Sequence, residues 1–212
     1  MSARIHSVID YGERGLVKIV NDGDALAAEA AATLIDVIER TQGKRGAVAL
    51  SGGSTPKKMS ALLAESPYKE KVANSTIDFF WGDERWVPLS DPESNAGEAL
   101  RGFLEPDGVE AARIHPFETE NVTPEESADR YAEALRPWAA NDAPYPVLDL
   151  VFLGMGDDGH TLSLFPHTSA IRETRRWVVA NEVPKLKTVR LTMTVPVANA
   201  ARLAATNPTA GG

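Results

Sequence analysis

The chain has 212 residues, of which 43% are hydrophobic and 25% charged, and it carries a net charge of −8 and no cysteine. This length suits one domain with a sizeable core, and the acidic charge argues against a general nucleic-acid or anionic-membrane binder. The lack of cysteine excludes a disulfide framework and thiol chemistry. There is no apolar leader and no run of membrane-spanning length, so we expect a cytoplasmic protein.

Strands and helices alternate through much of the chain. Residues 16–20 and 46–50 predict strands, and the alanine-rich residues 25–39 predict an amphipathic helix between them. A third strand is expected at 77–81. The apolar run at 147–153 has the composition of a buried parallel strand.

The later residues add two further strands and one helix. Residues 118–146 are acidic and contain several prolines, and they predict a surface excursion with a helix at 125–135. Residues 177–180 and 189–194 predict strands on either side of a basic loop at 183–187. The alternation as a whole predicts an α/β fold with a mostly parallel sheet covered by helices on both faces.

A glycine–hydroxyl loop, SGGSTP at 51–56, follows the strand at 46–50 and precedes a predicted helix. A strand, loop and helix in this order present backbone N–H groups and a helix N-terminus to a phosphate. The spacing of a P-loop is absent. An ordinary helix start, with Ser54 or Thr55 as the N-cap, explains the same residues and is compatible with ligand binding.

Two later loops concentrate charged residues at strand ends. Residues 82–88, GDERWVP, would fit a solvated turn if taken alone. Residues 154–166, GMGDDGHTLSLFP, bring glycines, two carboxylates and His160 to the carboxyl end of a strand, where ligands bind in open α/β sheets. A histidine there suits a reaction that needs a group titrating near neutral pH, although one that merely caps or packs a turn is the alternative.

Together, SGGSTP at 51–56, GDERWVP at 82–88, SNAG at 94–97 and GMGDDGHTLSLFP at 154–166 resemble the 6-phosphogluconolactonase family. The resemblance implies a single domain over 1–212 with the Rossmann-like three-layer sandwich shared with glucosamine-6-phosphate deaminase. It implies hydrolysis of 6-phospho-D-glucono-1,5-lactone to 6-phospho-D-gluconate in the oxidative pentose phosphate pathway. No metal and no organic cofactor are implied. The expected partner is the small sugar-phosphate lactone, and no nucleic acid or membrane is expected to bind. We expect the protein to be a monomer or a weak homo-oligomer.

Hydrolysis of a lactone needs a water molecule activated by a base. We expect His160 to be that base and Asp158 to orient its imidazole, while backbone N–H groups of the glycine turns stabilise the oxyanion. The residues expected to bind the substrate and its phosphate are Ser51, Gly52, Gly53, Ser54, Thr55, Asp83, Arg85, Lys185 and Arg190, with Lys187 as an alternative to Lys185 or Arg190.

Two alternative functions stay open. Glucosamine-6-phosphate deaminases resemble the chain at the glycine loop and the aspartate–glycine–histidine turn, but they carry a glutamate five residues after the histidine. Here that position is Phe165, which cannot transfer protons. A non-catalytic sugar-phosphate sensor would keep the phosphate site without a base, and the presence of both His160 and Asp158 disfavours it.

The end of the sequence departs from the resemblance. The family continues beyond the segment matched by residues 192–202 with a further strand and a C-terminal helix, whereas residues 203–212 are small and show no strand pattern. We therefore expect the chain from about Leu203 onward to be disordered. We also expect the sheet to lack that strand and helix, at a cost in stability.

Overall fold

The computed structural model describes residues 5–139 and 144–206. The strands are β1 (Ile5–Asp10), β2 (Leu16–Val20), β3 (Gly46–Leu50), β4 (Ile77–Trp81), β5 (Asp83–Arg85), β6 (Leu150–Leu153), β7 (Val178–Val183), β8 (Thr188–Met193) and β9 (Ala204–Thr206). The α-helices are α1 (Gly23–Arg40), α2 (Ser54–Leu63), α3 (Tyr68–Ala73), α4 (Asn95–Ala99), α5 (Pro124–Leu135) and α6 (Val195–Ala200). A π-helical turn, Leu100–Leu104, continues α4.

A parallel sheet in the order β4-β3-β6-β9 forms the centre of the molecule. Every residue of β3 and β4 is buried, so both faces of the sheet are covered. This is the environment that a continuous apolar run, rather than an alternating one, indicates. The expected α/β fold with a central parallel sheet is confirmed, although β6 begins only at Leu150 rather than at residue 147.

The strands β5, β7 and β8 form a separate antiparallel sheet in the order β5-β8-β7. Sequence patterning predicted strands at 177–180 and 189–194, and both are present, but it did not predict that they form an antiparallel sheet of their own. The connection between β7 and β8 is a short 3-10 turn, Pro184–Leu186, and a connection of this length can only join antiparallel neighbours.

Helix α5 shows why residues 118–146 are not simply a surface excursion. Thr123 and Glu126 form a capping box at its start, and its inner face is buried. The hydroxyl of Tyr131 accepts a hydrogen bond from the Trp81 backbone N–H at 2.6 Å and donates one to the Trp81 carbonyl at 3.0 Å. The helix is therefore attached to the end of β4, inside the core.

Both ends of the described chain contain strands that sequence patterning did not predict. β1 pairs with β2 in an antiparallel hairpin whose residues are mostly exposed. β9 pairs in parallel with β6 through Val151–Ala204 and Leu153–Thr206, so the expectation of disorder from Leu203 is wrong for residues 204–206. Residues 207–212 lie outside the described residues. No helix in the described part is long and apolar enough to cross a membrane.

Candidate active site

The loops after β4 and β6 meet at the carboxyl edge of the parallel sheet, together with β8. The Gly82 N–H donates to the Leu50 carbonyl at 2.9 Å, and the Gly82 carbonyl accepts from the Met193 N–H at 2.8 Å, which joins the two sheets at this point. A cleft of about 250 Å³ opens beside this junction. The residues that line it are Asp83, Arg85, Asp157, Asp158, His160, Ser163, Phe165, Lys185, Leu186 and Arg190.

The pairing of β5 with β8 explains how short strands supply one wall of this cleft. Asp83 pairs with Thr192, and Arg85 pairs with Arg190. Side chains two residues apart on a strand share a face, so these four side chains lie on one face of the ribbon. Glu84, which lies between Asp83 and Arg85 on β5, points to the opposite face. The sequence Asp-Glu-Arg is thereby divided between the cleft and the helix layer.

Arg85 and Arg190 bring two positive charges directly opposite each other across the ladder. Like charges in this position are destabilising unless something of opposite charge lies between them. Burial, and then the nearby Arg85 guanidinium, lower the pKa of Arg190. Arg85 donates to the Glu93 carbonyl at 2.5 Å, which fixes the direction of its guanidinium. The pair forms a site suited to an anion with several oxygens, such as a phosphate.

His160 and Asp158 are in direct contact, as the sequence predicted. The Nδ1 atom of His160 lies 2.5 Å from Oδ1 of Asp158, and the other carboxylate oxygen accepts from Lys185 at 3.2 Å. The hydrogen bond with the imidazole holds the pKa of Asp158 far below its usual range, although partial burial opposes this, and Lys185 lowers it further. Asp158 therefore stays ionised and fixes one nitrogen of the histidine ring.

The imidazole of His160 is also held by packing. Its ring stacks on Phe165, with 3.9 Å between centroids and 26° between the planes. On another side it covers Gly156, where an added Cβ would lie 2.1 Å from the Cε1 atom of the ring. Glycine is therefore required at position 156 for the loop to fold back over its own histidine. The side chain of His160 remains 22% exposed, which leaves it open to the cleft.

Asp83 is the buried acidic group of the cleft. Its carboxylate accepts a hydrogen bond from the Ser163 hydroxyl at 2.6 Å. Burial raises the pKa of Asp83, and the Ser163 hydrogen bond opposes the rise, as do the charges of Arg85, Arg190 and His160. The sequence predicted Asp83 and missed Ser163, because Ser163 reads as one small residue in an apolar stretch.

The glycine–hydroxyl loop is the part of the predicted site that the structure does not bring to the cleft. Residues 51–55 connect β3 to α2 at the same edge of the sheet, but they do not line the cleft. Ser51 and Thr55 are buried, whereas Gly53 and Ser54 are exposed. Any contact of this loop with a ligand would therefore come from the exposed pair and from backbone N–H groups.

The start of α2 differs from the ordinary cap that the sequence also allowed. Gly53 is the N-cap, with φ of 116°, and Ser54 is the first helical residue, so neither Ser54 nor Thr55 is the N-cap. A glycine takes this backbone conformation without strain and offers no side chain to the first turn. The N–H groups of that turn are thereby left without a side-chain cap at the sheet edge.

Glu84 and Asn95 are structural residues of the site that sequence reasoning missed. The Glu84 carboxylate accepts from the backbone N–H groups of Asn95 and Ala96, each at 2.8 Å, and from the Ser94 hydroxyl at 3.0 Å. The Asn95 amide donates to the Asp83 carbonyl at 2.9 Å. Strand alternation is the signal that would have separated Glu84 from its two cleft-facing neighbours. Among the described residues, no cluster of three or more histidines and carboxylates is arranged to hold a metal ion.

Comparison with known proteins fixes the family. The sequence profile of the family described as "Glucosamine-6-phosphate isomerases/6-phosphogluconolactonase" matches residues 21–207. The chain belongs to this family. A 6-phosphogluconolactonase of Synechocystis sp. is 40% identical over 167 residues, which are 78% of this chain and 66% of that protein. One from Nostoc sp. is 39% identical over 190 residues, which are 87% of this chain and 76% of that protein.

Solved structures agree with this assignment. The structure of "6-phosphogluconolactonase from Trypanosoma cruzi" superposes with a TM-score of 0.76 at 29% identity and covers 89% of this chain and 77% of that one. The chain spans just under two thirds of the Synechocystis relative and about three quarters of the other two proteins. The family and the fold are therefore those that the four sequence motifs implied.

Proposed function

We propose that this protein hydrolyses 6-phospho-D-glucono-1,5-lactone to 6-phospho-D-gluconate, the lactonase step of the oxidative pentose phosphate pathway. The observation that carries the proposal is the placement of a His160–Asp158 pair and an Arg85–Arg190 pair in one cleft. The first pair is suited to activate water, and the second to hold a phosphate. The relatives of this family that carry the lactonase name support the same reaction.

In the proposed mechanism His160 is the general base. Because Asp158 binds Nδ1, the neutral imidazole would keep its proton on that nitrogen and use Nε2 to accept a proton from water. The hydroxide equivalent adds to the lactone carbonyl, and the carbon–oxygen bond to the ring oxygen then breaks. The imidazolium returns its proton to that oxygen as it leaves, so the base is regenerated. Asp158 stabilises the transient charge on the ring.

The 6-phosphate is assigned to the arginine pair. A phosphate between Arg85 and Arg190 would neutralise two like charges that the β5–β8 ladder forces together. Lys185 lines the same cleft and donates a hydrogen bond to Asp158, so we place it between the phosphate site and the base. Lys187 does not line the cleft, and we assign it no contact. The loop at 51–55 is proposed to meet the substrate through backbone N–H groups.

The deaminase alternative is disfavoured by the position of Phe165. Where a proton-transferring carboxylate would be needed, this phenylalanine stacks on His160 at 3.9 Å and offers the ring an apolar face. On this face of the imidazole the site therefore has an aromatic ring in the place of a carboxylate.

A paired assay on the purified chain tests the proposed reaction. One arm follows acid release from freshly made 6-phosphogluconolactone, with spontaneous opening subtracted, and the other follows ammonia release from glucosamine 6-phosphate. We expect acid release above background and no ammonia. Ammonia release would establish the deaminase instead, and saturable binding without either reaction would establish a sensor.

A further inference from the structure

A buried polar network lies beneath the cleft and is centred on Ser163, which is 1% exposed. Its hydroxyl donates to Asp83 at 2.6 Å, and its backbone N–H donates to the Thr192 hydroxyl at 3.2 Å. Its carbonyl accepts from the Asn181 amide at 2.8 Å, and the same amide reaches Thr168 at 3.0 Å. Ser163 thus uses its side chain and both backbone groups to bind all three strands of the antiparallel sheet.

The register of the antiparallel sheet places the two partners of Ser163 side by side. Asp83 on β5 pairs with Thr192 on β8, and Ser163 hydrogen-bonds to the first through its hydroxyl and to the second through its N–H. The loop that carries His160 is thereby fixed to the strand that carries Asp83. Because the Ser163 hydroxyl, N–H and carbonyl are all hydrogen-bonded, the network holds one arrangement of the groups attached to this residue.

The chemistry of the substrate limits what Asp83 can bind. A carboxylate only accepts hydrogen bonds, so it cannot bind a phosphate that is itself an acceptor. The donors that a sugar-phosphate lactone carries are its hydroxyl groups. Asp83 lines the cleft beside the arginine pair, and it is therefore placed to accept from a ring hydroxyl while the phosphate lies on the arginines.

We infer that Ser163 is a positioning residue, which orients the Asp83 carboxylate to accept a hydrogen bond from a hydroxyl group of the lactone ring. This inference rests on the proposed lactonase function. It adds to that function a residue that selects the sugar ring and does not take part in the proton transfer to His160.

The groups around Asp83 determine how its pKa would change if the Ser163 hydroxyl were removed. Arg85 lies on its own strand, Arg190 on β8 and His160 on the loop that covers the cleft, and all three favour the ionised carboxylate. Burial opposes them, and the Ser163 hydroxyl is the direct donor that helps to offset burial. Without that donor the pKa of Asp83 rises further. The carboxylate is then protonated as the pH falls, and it no longer accepts the hydrogen bond from the substrate hydroxyl.

The test compares Ser163→Ala with Asp83→Asn, with the double variant and with Ser127→Ala. The Ser127 hydroxyl is equally buried and has no hydrogen-bond partner among the described residues, so it controls for removing a buried hydroxyl. For Ser163→Ala we expect KM for the lactone to rise about tenfold, as for one lost hydrogen bond to a charged group, with kcat within about threefold of wild type. The KM defect should shrink as the pH is raised.

The double variant decides between positioning and general damage to the fold. We expect it to bind no more weakly than Asp83→Asn alone, because Ser163 acts through Asp83. Additive losses, an unchanged KM in Ser163→Ala, or a KM defect that does not respond to pH would overturn the inference. A parallel carbon-13 NMR titration of the Asp83 carboxyl needs no substrate. A higher pKa in Ser163→Ala supports the coupling even if wild type proves inactive on the lactone, and an unchanged pKa contradicts it.

Discussion

At the scale of single residues, the groups that the sequence identified best are those whose position in the chain fixes their position in space. His160 and Asp158 are two residues apart in one loop, and they contact each other at 2.5 Å. Arg85 was recognised in the loop after a predicted strand, and Arg190 was grouped with Lys185 of the basic loop. Their pairing across a ladder was not predicted, because it depends on the register of β5 with β8.

Residues whose roles depend on distant partners were the ones missed. Ser163 and Asp83 are separated by 80 positions in the chain and joined by one hydrogen bond. Nothing in the local sequence distinguishes Ser163 from a small residue packed beside Leu162 and Leu164. The candidate catalytic pair was therefore predictable from the sequence, whereas the network that positions the rest of the site was not.

Replacement of Arg85 by alanine is predicted to weaken binding of the phosphorylated lactone by about 1.5–3 kcal/mol, the range for one charge-assisted hydrogen-bonded contact. The measurement is kcat/KM for 6-phosphogluconolactone against unphosphorylated gluconolactone. Only the kcat/KM for the phosphorylated substrate should fall. If the ratio of the two values stayed as in wild type, the phosphate would have to bind elsewhere, and the loop at 51–55 would be the next site to test.

At the scale of elements, strong periodicity or continuous apolar character gave the correct element and weaker signals did not. α1 is predicted from its buried stripe and begins after Asp22, which accepts from the N–H groups of Asp24 and Ala25 at 3.0 and 2.8 Å. β1 and β9 lack such signals, whereas β2 was predicted from residues 16–20. β9 is a strand because the edge of β6 is available to pair with it, which is a property of the sheet and not of residues 204–206.

Helix α4 depends on a residue outside it, and Glu84→Gln tests that dependence. A glutamine would place one N–H₂ group where the carboxylate accepts from N–H and O–H donors of Ser94, Asn95 and Ala96. We predict a loss of about 1–3 kcal/mol in the free energy of unfolding, as expected when buried donors lose their acceptor. Urea denaturation measures it, and the exposed Glu105→Gln serves as the matched substitution that should change little.

At the scale of the whole molecule, the net charge of −8 differs from the charge of the cleft. Arg85, Arg190 and Lys185 line the cleft and balance the formal charges of Asp83, Asp157 and Asp158 there. The global charge therefore gives no guide to the basic residues of the cleft. Arg85 and Arg190 lie on two different strands and Lys185 lies in a turn, so only the assembled fold brings them together.

A second effect at this scale is the pH dependence of stability, to which Asp107 contributes. Burial raises its pKa to about 6, with Lys69 lowering and Glu70 raising it, against about 3.9 in an unfolded chain. The folded state therefore binds the proton of the Asp107 carboxyl more tightly than the unfolded state does. The stability that this group contributes is fully present below about pH 4 and is lost as the pH rises through about 6.

Asp107→Asn should accordingly melt at a higher temperature than wild type at about pH 7.5, where the buried charge is removed, and show a smaller difference at about pH 4.5. Thermal scans at the two pH values measure this, with the exposed Asp129→Asn as the comparison. An equal difference at both pH values would show that Asp107 is not the titrating group.

In the proposed mechanism His160 activates water for opening of the lactone. The most direct measurement is kcat for acid release from 6-phosphogluconolactone by wild type and by His160→Ala, with spontaneous opening subtracted and folding verified by circular dichroism. We predict that His160→Ala lowers kcat by about 10²–10⁴-fold, the range for loss of a general base, and removes the acid limb of the pH–rate profile. Near-normal turnover by a correctly folded His160→Ala protein would contradict it.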